Sequence, residues 1–338
     1  MSATLDAPAL LTRDEYLAAV FGDPGMRPVF GELFGPLVQT EAEWKAQGAT
    51  PAELDLSAFG HDSVDLHWLG VNTGLRALAE ERVLEDTPEM RLSIDRYGRR
   101  VQLWKAAASI PLPLDHPVRM RDDWERIKSH YQYHPDRLPE GWAAAARAAR
   151  DRGALILCGI PGGFDEPRQL LGEERLCLAF YDEPDLIHDM LATMGATCER
   201  VLDEVTRVMP IDNLFIHEDL AGKSGPLVGP AQIAEFIHPY YRRCWDLVAS
   251  RGTRLFSQDS DGDMRPVLDA FIACGVNLFL PMEPAAGMDL QVRHELPVQP
   301  CYCIAVARPS VDGTASPPHE FHIVQGHGAH RMHHRRQG

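Results

Sequence analysis

The sequence predicts an α/β fold, a (β/α)8-type barrel of parallel strands ringed by helices. Two observations carry that expectation. Strand-like and helix-like stretches alternate steadily from 141 to 290, the pattern of a parallel sheet joined by crossover helices. Ala154–Cys158, Asn213–Ile216, Thr253–Ser257 and Val276–Leu280 are short, mostly apolar runs, as expected of strands covered on both faces. A third observation points to function. Three of these runs lead into acidic residues: His217-Glu218-Asp219, Asp259-Ser260-Asp261 and Pro281-Met282-Glu283. In such a barrel the carboxyl ends of the strands carry the active site.

Taken in order, Thr12-Arg13-Asp14-Glu15 has capping-box spacing and opens a short helix within an N-terminal extension, 1–26. Pro28–Gly35 reads as a strand closed by glycine, with Glu32 near its end, and Glu41–Gly48 as a short helix. Asp65–Val71 is a second strand, turned by Asn72-Thr73-Gly74. Residues 79–112 depart from the alternation. Arg82–Glu85, Leu92–Asp95 and Arg99–Trp104, with Tyr97-Gly98 as a turn, predict an antiparallel excursion. Pro111, Pro113 and Pro117 then make a stiff, non-helical connector. Helices are expected over Asp122–Tyr131, Gly141–Arg152, Pro167–Ala179, Pro184–Val208, Pro230–Ser250 and Met264–Cys274. Cys301–Val306 supplies one more strand candidate.

From His294 onward lie seven of the 15 His and three of the 49 acidic residues, and Arg308–Pro318 and Gly326–Gly338 have no helical period. The expected organisation is therefore an extension (1–26), a barrel (27–307) with an irregular, incomplete C-terminal end, and a His-rich tail (308–338).

Composition narrows the partners. A net charge of −16 argues against nucleic acid and anionic membranes. No apolar run approaches the ~20 residues that span a bilayer, and Met1–Leu11 lacks the build of a signal peptide. The expectation is a cytoplasmic protein with a small-molecule substrate. Seven scattered Cys without a CxxC pair read as free thiols rather than a disulfide framework.

Glu218-Asp219-Leu220-Ala221-Gly222, the helix with Pro239-Tyr240-Tyr241, Ser260-Asp261-Gly262-Asp263, Gly275-Val276-Asn277 and Pro284–Asp289 occur in an order that resembles the uroporphyrinogen decarboxylase superfamily. That group also holds cobalamin-linked methyltransferases, and the similarity covers roughly residues 25–290. The resemblance implies a barrel enzyme of carboxy-lyase type without a cofactor, commonly a homodimer. Its alternative implication is a methyltransferase or demethylase working with a corrinoid carried on a partner protein. A third reading is a non-catalytic small-molecule-binding barrel.

The departures are informative. Gly31-Glu32 stands where the family decarboxylases carry an Arg pair, Gln169 where they carry a tyrosine, and Asp219 where they carry a serine. Asn72 falls near the family's strand-2 aspartate, and Gly326-His327-Gly328 echoes a Gly-His-Gly near its strand 8. Asp259-Ser260-Asp261 replaces the His-x-Cys of the zinc methyltransferases, so a zinc–thiolate site is not expected there.

The residue types point to acid–base chemistry. Asp219, Asp259 and Asp261 are the candidate catalytic carboxylates. Two of them facing one cavity would raise one pKa and leave a proton donor beside a base. Glu32, Asn72, Arg168, His217, Glu218 and Glu283 are the candidate substrate-binding residues. By strand alternation His217 and Asp219 share a side, while Glu218 leans away. Asp263, before a helix, is expected to be a cap.

Overall fold

The computed structural model describes residues 10–21, 23, 25, 26, 29, 36, 38–108, 110–288, 302–307 and 321–326, the last two segments as backbone strands. The strand expected at Pro28–Gly35, apart from Val29, lies outside these residues, and Glu32 with it. So does most of the 308–338 tail.

Helix α1 (Arg13–Val20) carries the predicted capping box, with the Glu15 N–H donating to the Thr12 hydroxyl and the Thr12 N–H to the Glu15 carboxylate. Helix α2 (Val38–Ala46) and strand β1 (Leu66–Trp68) follow. The excursion is an antiparallel sheet in chain order: β2 (Arg82–Asp86), β3 (Met90–Ile94), β4 (Arg100–Trp104) and β5 (Leu112–Pro113). The proline-rich connector thus begins as an edge strand, where a missing N–H costs nothing.

The alternating part comprises α3 (Arg121–Ile127), α4 (Trp142–Asp151), β6 (Leu155–Ile160), α5 (Asp165–Leu171), α6 (Glu173–Asp182), α7 (Pro184–Val208) and β7 (Asn213–His217). It continues with α8 (His238–Ala249), β8 (Leu255–Asp259), α9 (Leu268–Cys274), β9 (Leu278–Leu280), β10 (Tyr302–Ala307) and β11 (Phe321–Gly326).

Three expected helices differ, each for a local reason. Pro167–Ala179 breaks into α5 and α6 at Gly172, whose φ is +84° and where a Cβ would lie 2.9 Å from the His116 ring. Met264–Cys274 shortens to α9, because Pro266 disfavours helix in the residue before it. Pro230–Ser250 opens with a single turn and a π-helical stretch, Ile233–Ile237, ahead of α8. Pro239 cannot donate the N–H that a regular helix would use there.

The central sheet has the order β11-β10-β9-β8-β7-β6-β1. β1, β6, β7, β8 and β9 run parallel, and β10 and β11 antiparallel. The described residues therefore form a mixed α/β sheet with a parallel centre, and among them no closed ring of eight parallel strands is formed. Residues 308–320 contain three prolines and no helical period. Such a sequence does not predict the crossover helix that a parallel return requires, and β11 pairs antiparallel with β10. No helix among the described residues is long and apolar enough to cross a membrane.

The sheet separates two cores. Ile156, Cys158, Ile160, Leu214, Ile216, Phe256 and Phe279 face the helices and join the main core with Val201, Tyr241 and Phe271. Leu155, Leu157, Leu255, Leu278 and Leu280 face the other way, onto Leu17, Val20 and Val29. Helix α1 is fixed there by Arg13, whose Nε and Nη2 donate to Asp212 Oδ1 at 2.9 and 2.7 Å. The second Asp212 oxygen accepts the Ile156 N–H at 2.8 Å. Asp212 is buried, and removing one member of a buried pair strands the other.

Asp212→Ala should therefore lower the free energy of unfolding by about 3 kcal/mol or more, read by urea denaturation. Arg13→Ala should cost less, because Arg150 remains 3.4 Å from the same carboxylate.

Candidate functional site

Register sets which side chains meet at the carboxyl ends. His217 pairs with Asp259 across β7 and β8, Phe215 with Ser257, and Gly159 of β6 with Phe215. Paired positions share a face. His217 and Asp259 therefore top the same face that carries Leu155, Leu157 and Leu255 lower down.

Glu218 leans to the opposite side, as alternation predicts, and is fully buried. Its Oε1 accepts the Gly163 N–H at 2.9 Å, and its Oε2 accepts those of Phe164 and Asp165 at 2.9 and 3.0 Å. Tyr241 of α8 donates its hydroxyl to Oε1. Burial raises the Glu218 carboxyl to about 7, against the pull of Tyr241 and the N–H donors. Gly162 permits the approach, since a Cβ there would lie 2.3 Å from the His217 carbonyl and 2.6 Å from Glu218. Glu218 is thus a clamp on the β6–α5 turn and does not line the mouth as a substrate ligand.

The clamp places Asp165 beside His217. Asp165 Oδ1 accepts from Arg168 Nη2 at 2.5 Å and from Gln169 Nε2 at 3.0 Å, while Oδ2 lies 3.5 Å from His217 Nδ1. Arg168 Nη2 is also 3.6 Å from Asp219. Gln169 is itself held by Arg99 of the excursion, 2.7 Å from its Oε1. Burial works to raise the Asp165 carboxyl, but His217 and Arg168 outweigh it and hold it below its ordinary value.

The His217 imidazole responds in the opposite sense. Its hydrogen bond to Asp165 raises it, burial works against this, and the charges of Asp165, Asp219 and Asp259 add, bringing it to about 9. Burial raises Asp259 to about 6; His217 pulls it down and Asp261 and Asp219 push it up. Asp261 is raised by burial and by the charges of Asp219 and Glu283. Asp219 holds a left-handed backbone, φ +49°, which Asp tolerates better than most residues. At neutral pH the arrangement is an imidazolium, half-exposed, amid carboxylates that are neutral or charged according to their burial.

Of the sequence-predicted residues, His217, Asp219, Asp259, Asp261 and Arg168 come together. Glu283 joins them through the loop, its Oε2 accepting the Gly262 N–H at 2.9 Å. Asn72 is taken up in its own turn, accepting from the Gly74 N–H at 2.9 Å and donating to the Leu75 carbonyl at 3.1 Å. Asp263 does not cap a helix as expected, since α9 begins only at Leu268; it pairs with Arg265 and accepts its N–H in the turn before α9. Asp165 was not anticipated, because its helix was expected to begin at Pro167. The signal was present in Gly162-Gly163-Phe164-Asp165, a glycine pair followed by an acid after an apolar strand. Among the described residues no group of three His, Cys, Asp or Glu side chains is disposed to hold a metal ion.

No family model matches the chain, and no curated protein matches it. Eleven chains of solved structures do. One is a methyltransferase from Methanosarcina mazei, 17% identical, with 79% of this chain and 74% of that chain covered and a TM-score of 0.46. A likeness of that degree bears on neither reaction nor substrate.

Two measurements check the site. In an NMR titration His217 should lose its proton near pH 9, and Asp165→Asn should bring the midpoint down towards 6.5. Because the folded value is raised above the unfolded one, His217 contributes stability that is fully present below pH 6.5 and is lost as pH rises through 9. His217→Gln should flatten that part of the stability profile. Separately, Glu218→Ala should cost about 3 kcal/mol in urea unfolding, since it strands the Phe164 and Asp165 N–H groups and the Tyr241 hydroxyl proton, while the Gly163 N–H keeps the Tyr241 oxygen at 2.9 Å.

Proposed function

We propose that this protein is an enzyme that transfers an alkyl group by acid-assisted cleavage of a carbon–heteroatom bond. His217 gives its proton to the departing heteroatom, and Asp259 beside it is the base that takes part in restoring it. The observation that carries this reading is the His217 imidazolium held by Asp165 at the open strand ends. A donor of this kind is fully charged at neutral pH and stands next to a carboxyl that titrates near 6. A positioned donor and acceptor of this sort commonly contribute 10²–10⁴-fold to a rate, roughly.

The carboxy-lyase reading is supported less well. It calls for a cation free to hold a substrate carboxylate. Arg168 is already shared between Asp165 and Asp219, and the other cation of the cluster is the proton donor itself. Excess carboxylate at Asp219, Asp261 and Glu283 would repel a polycarboxylate substrate.

The family resemblance makes methyl the alkyl group in question and a corrinoid on a partner protein its acceptor. The residues present fit that arrangement. The side chains of His217 and Asp219 are 48% and 37% exposed, so a group presented from outside reaches the donor. A corrinoid would supply the nucleophile that takes the alkyl group. This chain binds the substrate, orients it against β7 and β8, and moves the proton.

The test is turnover of an O-methyl or N-methyl substrate with a corrinoid acceptor. His217→Gln should lower kcat by about 100-fold or more and Asp259→Asn by a similar factor. The wild-type rate should fall as pH rises through 9, as His217 loses its proton. Retention of wild-type kcat and the same pH limb in His217→Gln would remove the reading.

A further inference from the structure

The sheet face below His217 and Asp259 is aromatic, and no step described so far uses it. Phe215 lies two residues before His217 on β7 and therefore on the same face, about 7 Å along the strand. Trp68 of β1 belongs to that face too, because it pairs with Leu157. The position that separates the two rings on β6 is Gly159. With no side chain there, Trp68 lies across the glycine, where a Cβ would be 3.8 Å from its ring. It meets Phe215 edge-on, with centroids 5.2 Å apart and planes at 89°. Trp68 is 49% exposed, so its ring is not spent as core.

Electrostatics above this floor favour a positive guest. The strand ends hold five carboxylates, Asp165, Asp219, Asp259, Asp261 and Glu283, against two cations, Arg168 and His217. Both cations already face carboxylates. An aromatic face attracts a cation through its quadrupole, most strongly at Trp, and nearby carboxylates act in the same direction.

We propose that the site takes a small organic ammonium ion, whose charged end lies against Trp68 and Phe215 beneath the carboxylates while its polar end reaches His217. This deepens the acid-assisted reading and rests on it for the role of His217. The ammonium group is the anchor and not itself the reacting centre. It does for a cationic substrate what a free arginine would do for a carboxylate.

The probe is choline, set against 3,3-dimethylbutan-1-ol, which has the same shape and no charge. Isothermal titration of the full chain should give choline binding at least tenfold tighter than the neutral isostere. Trp68→Leu should weaken choline by roughly tenfold, within what a desolvated cation–π contact supplies, and Trp68→Phe should retain part of the affinity. Asp259→Asn should weaken choline and leave the isostere unchanged.

Equal binding of the two probes, no choline binding at millimolar concentration, or undiminished choline binding by Trp68→Leu would overturn the proposal. Should Trp68→Leu fail to fold, as judged by circular dichroism, Trp68→Phe decides by the same criterion. His217→Gln separates the two readings. It should abolish turnover and keep choline binding, so a failure of cation recognition leaves the proton-transfer reading standing, and the reverse.

Discussion

A single buried carboxylate, Glu218, holds the strand ends in one piece, and the chemistry beside it depends on that. Its own N–H is bonded to the Asp259 carbonyl at 2.8 Å, which fixes β7 against β8. Its side chain takes the first N–H groups of the β6–α5 turn, which fixes β6 and α5 against both. Tyr241 brings α8 to the same atom. A carboxyl that accepts from three backbone N–H groups and a tyrosine hydroxyl ties the ends of several elements to one side chain. It also carries a constraint, since such a group cannot be removed without leaving the Phe164 and Asp165 N–H groups without their acceptor. The glycine at 162 follows from this, because the turn must pass within contact of the β7 carbonyl and of the carboxylate.

What the clamp secures is the relation between Asp165 and His217. An imidazole near several carboxylates becomes a persistent acid only if one of them fixes its orientation. Asp165 is suited to this because it is itself held by Arg168 and by Gln169, which Arg99 fixes in turn. The antiparallel excursion thereby has a place in the site. Its Arg99 is buried, and Tyr97 reaches Glu166 on the same helix at 3.1 Å. A small sheet inserted before the regular alternation braces α5 from outside, and four successive contacts, Asp95–Arg99, Arg99–Gln169, Gln169–Asp165 and Asp165–His217, lead from it to the imidazole.

Much of this was legible in the sequence where the signal is local. Apolar runs of strand length placed β6, β7, β8 and β9, and the capping box placed α1. Alternation put His217 on one side and Glu218 on the other. What that leaning meant was not legible, since the N–H groups Glu218 meets lie more than 50 residues earlier in the chain. Asp165 was missed for a related reason. Nothing in Phe164-Asp165-Glu166-Pro167 tells a helix start at 165 from one at 167 until the donors at 163–165 are seen to be occupied. Hydrophobic period identifies strands and not their partners, so the antiparallel pairing of β10 and β11 was not legible. The direction of β10 and β11 is a matter of pairing between distant segments, which periodicity does not encode.

The charges at the strand ends become coherent when taken together. A mouth with no free arginine among the described residues and with Asp219 at its rim is on both counts poorly suited to carboxylates. With Arg168 drawn between Asp165 and Asp219, these features set the sign of what the mouth can hold. Gly159 takes part in the same arrangement. A Cβ there would stand in van der Waals contact with Trp68, at 3.8 Å, so the position takes a small residue, and a bulky one would fill the floor beside the Trp68–Phe215 pair. A half-exposed tryptophan is tolerated in a sheet face when something covers it, and a guest that is apolar in body and positive in charge satisfies the rings and the carboxylates at once. One small residue on β6 thereby decides whether the acidic mouth is only a repulsive surface or a site with a floor.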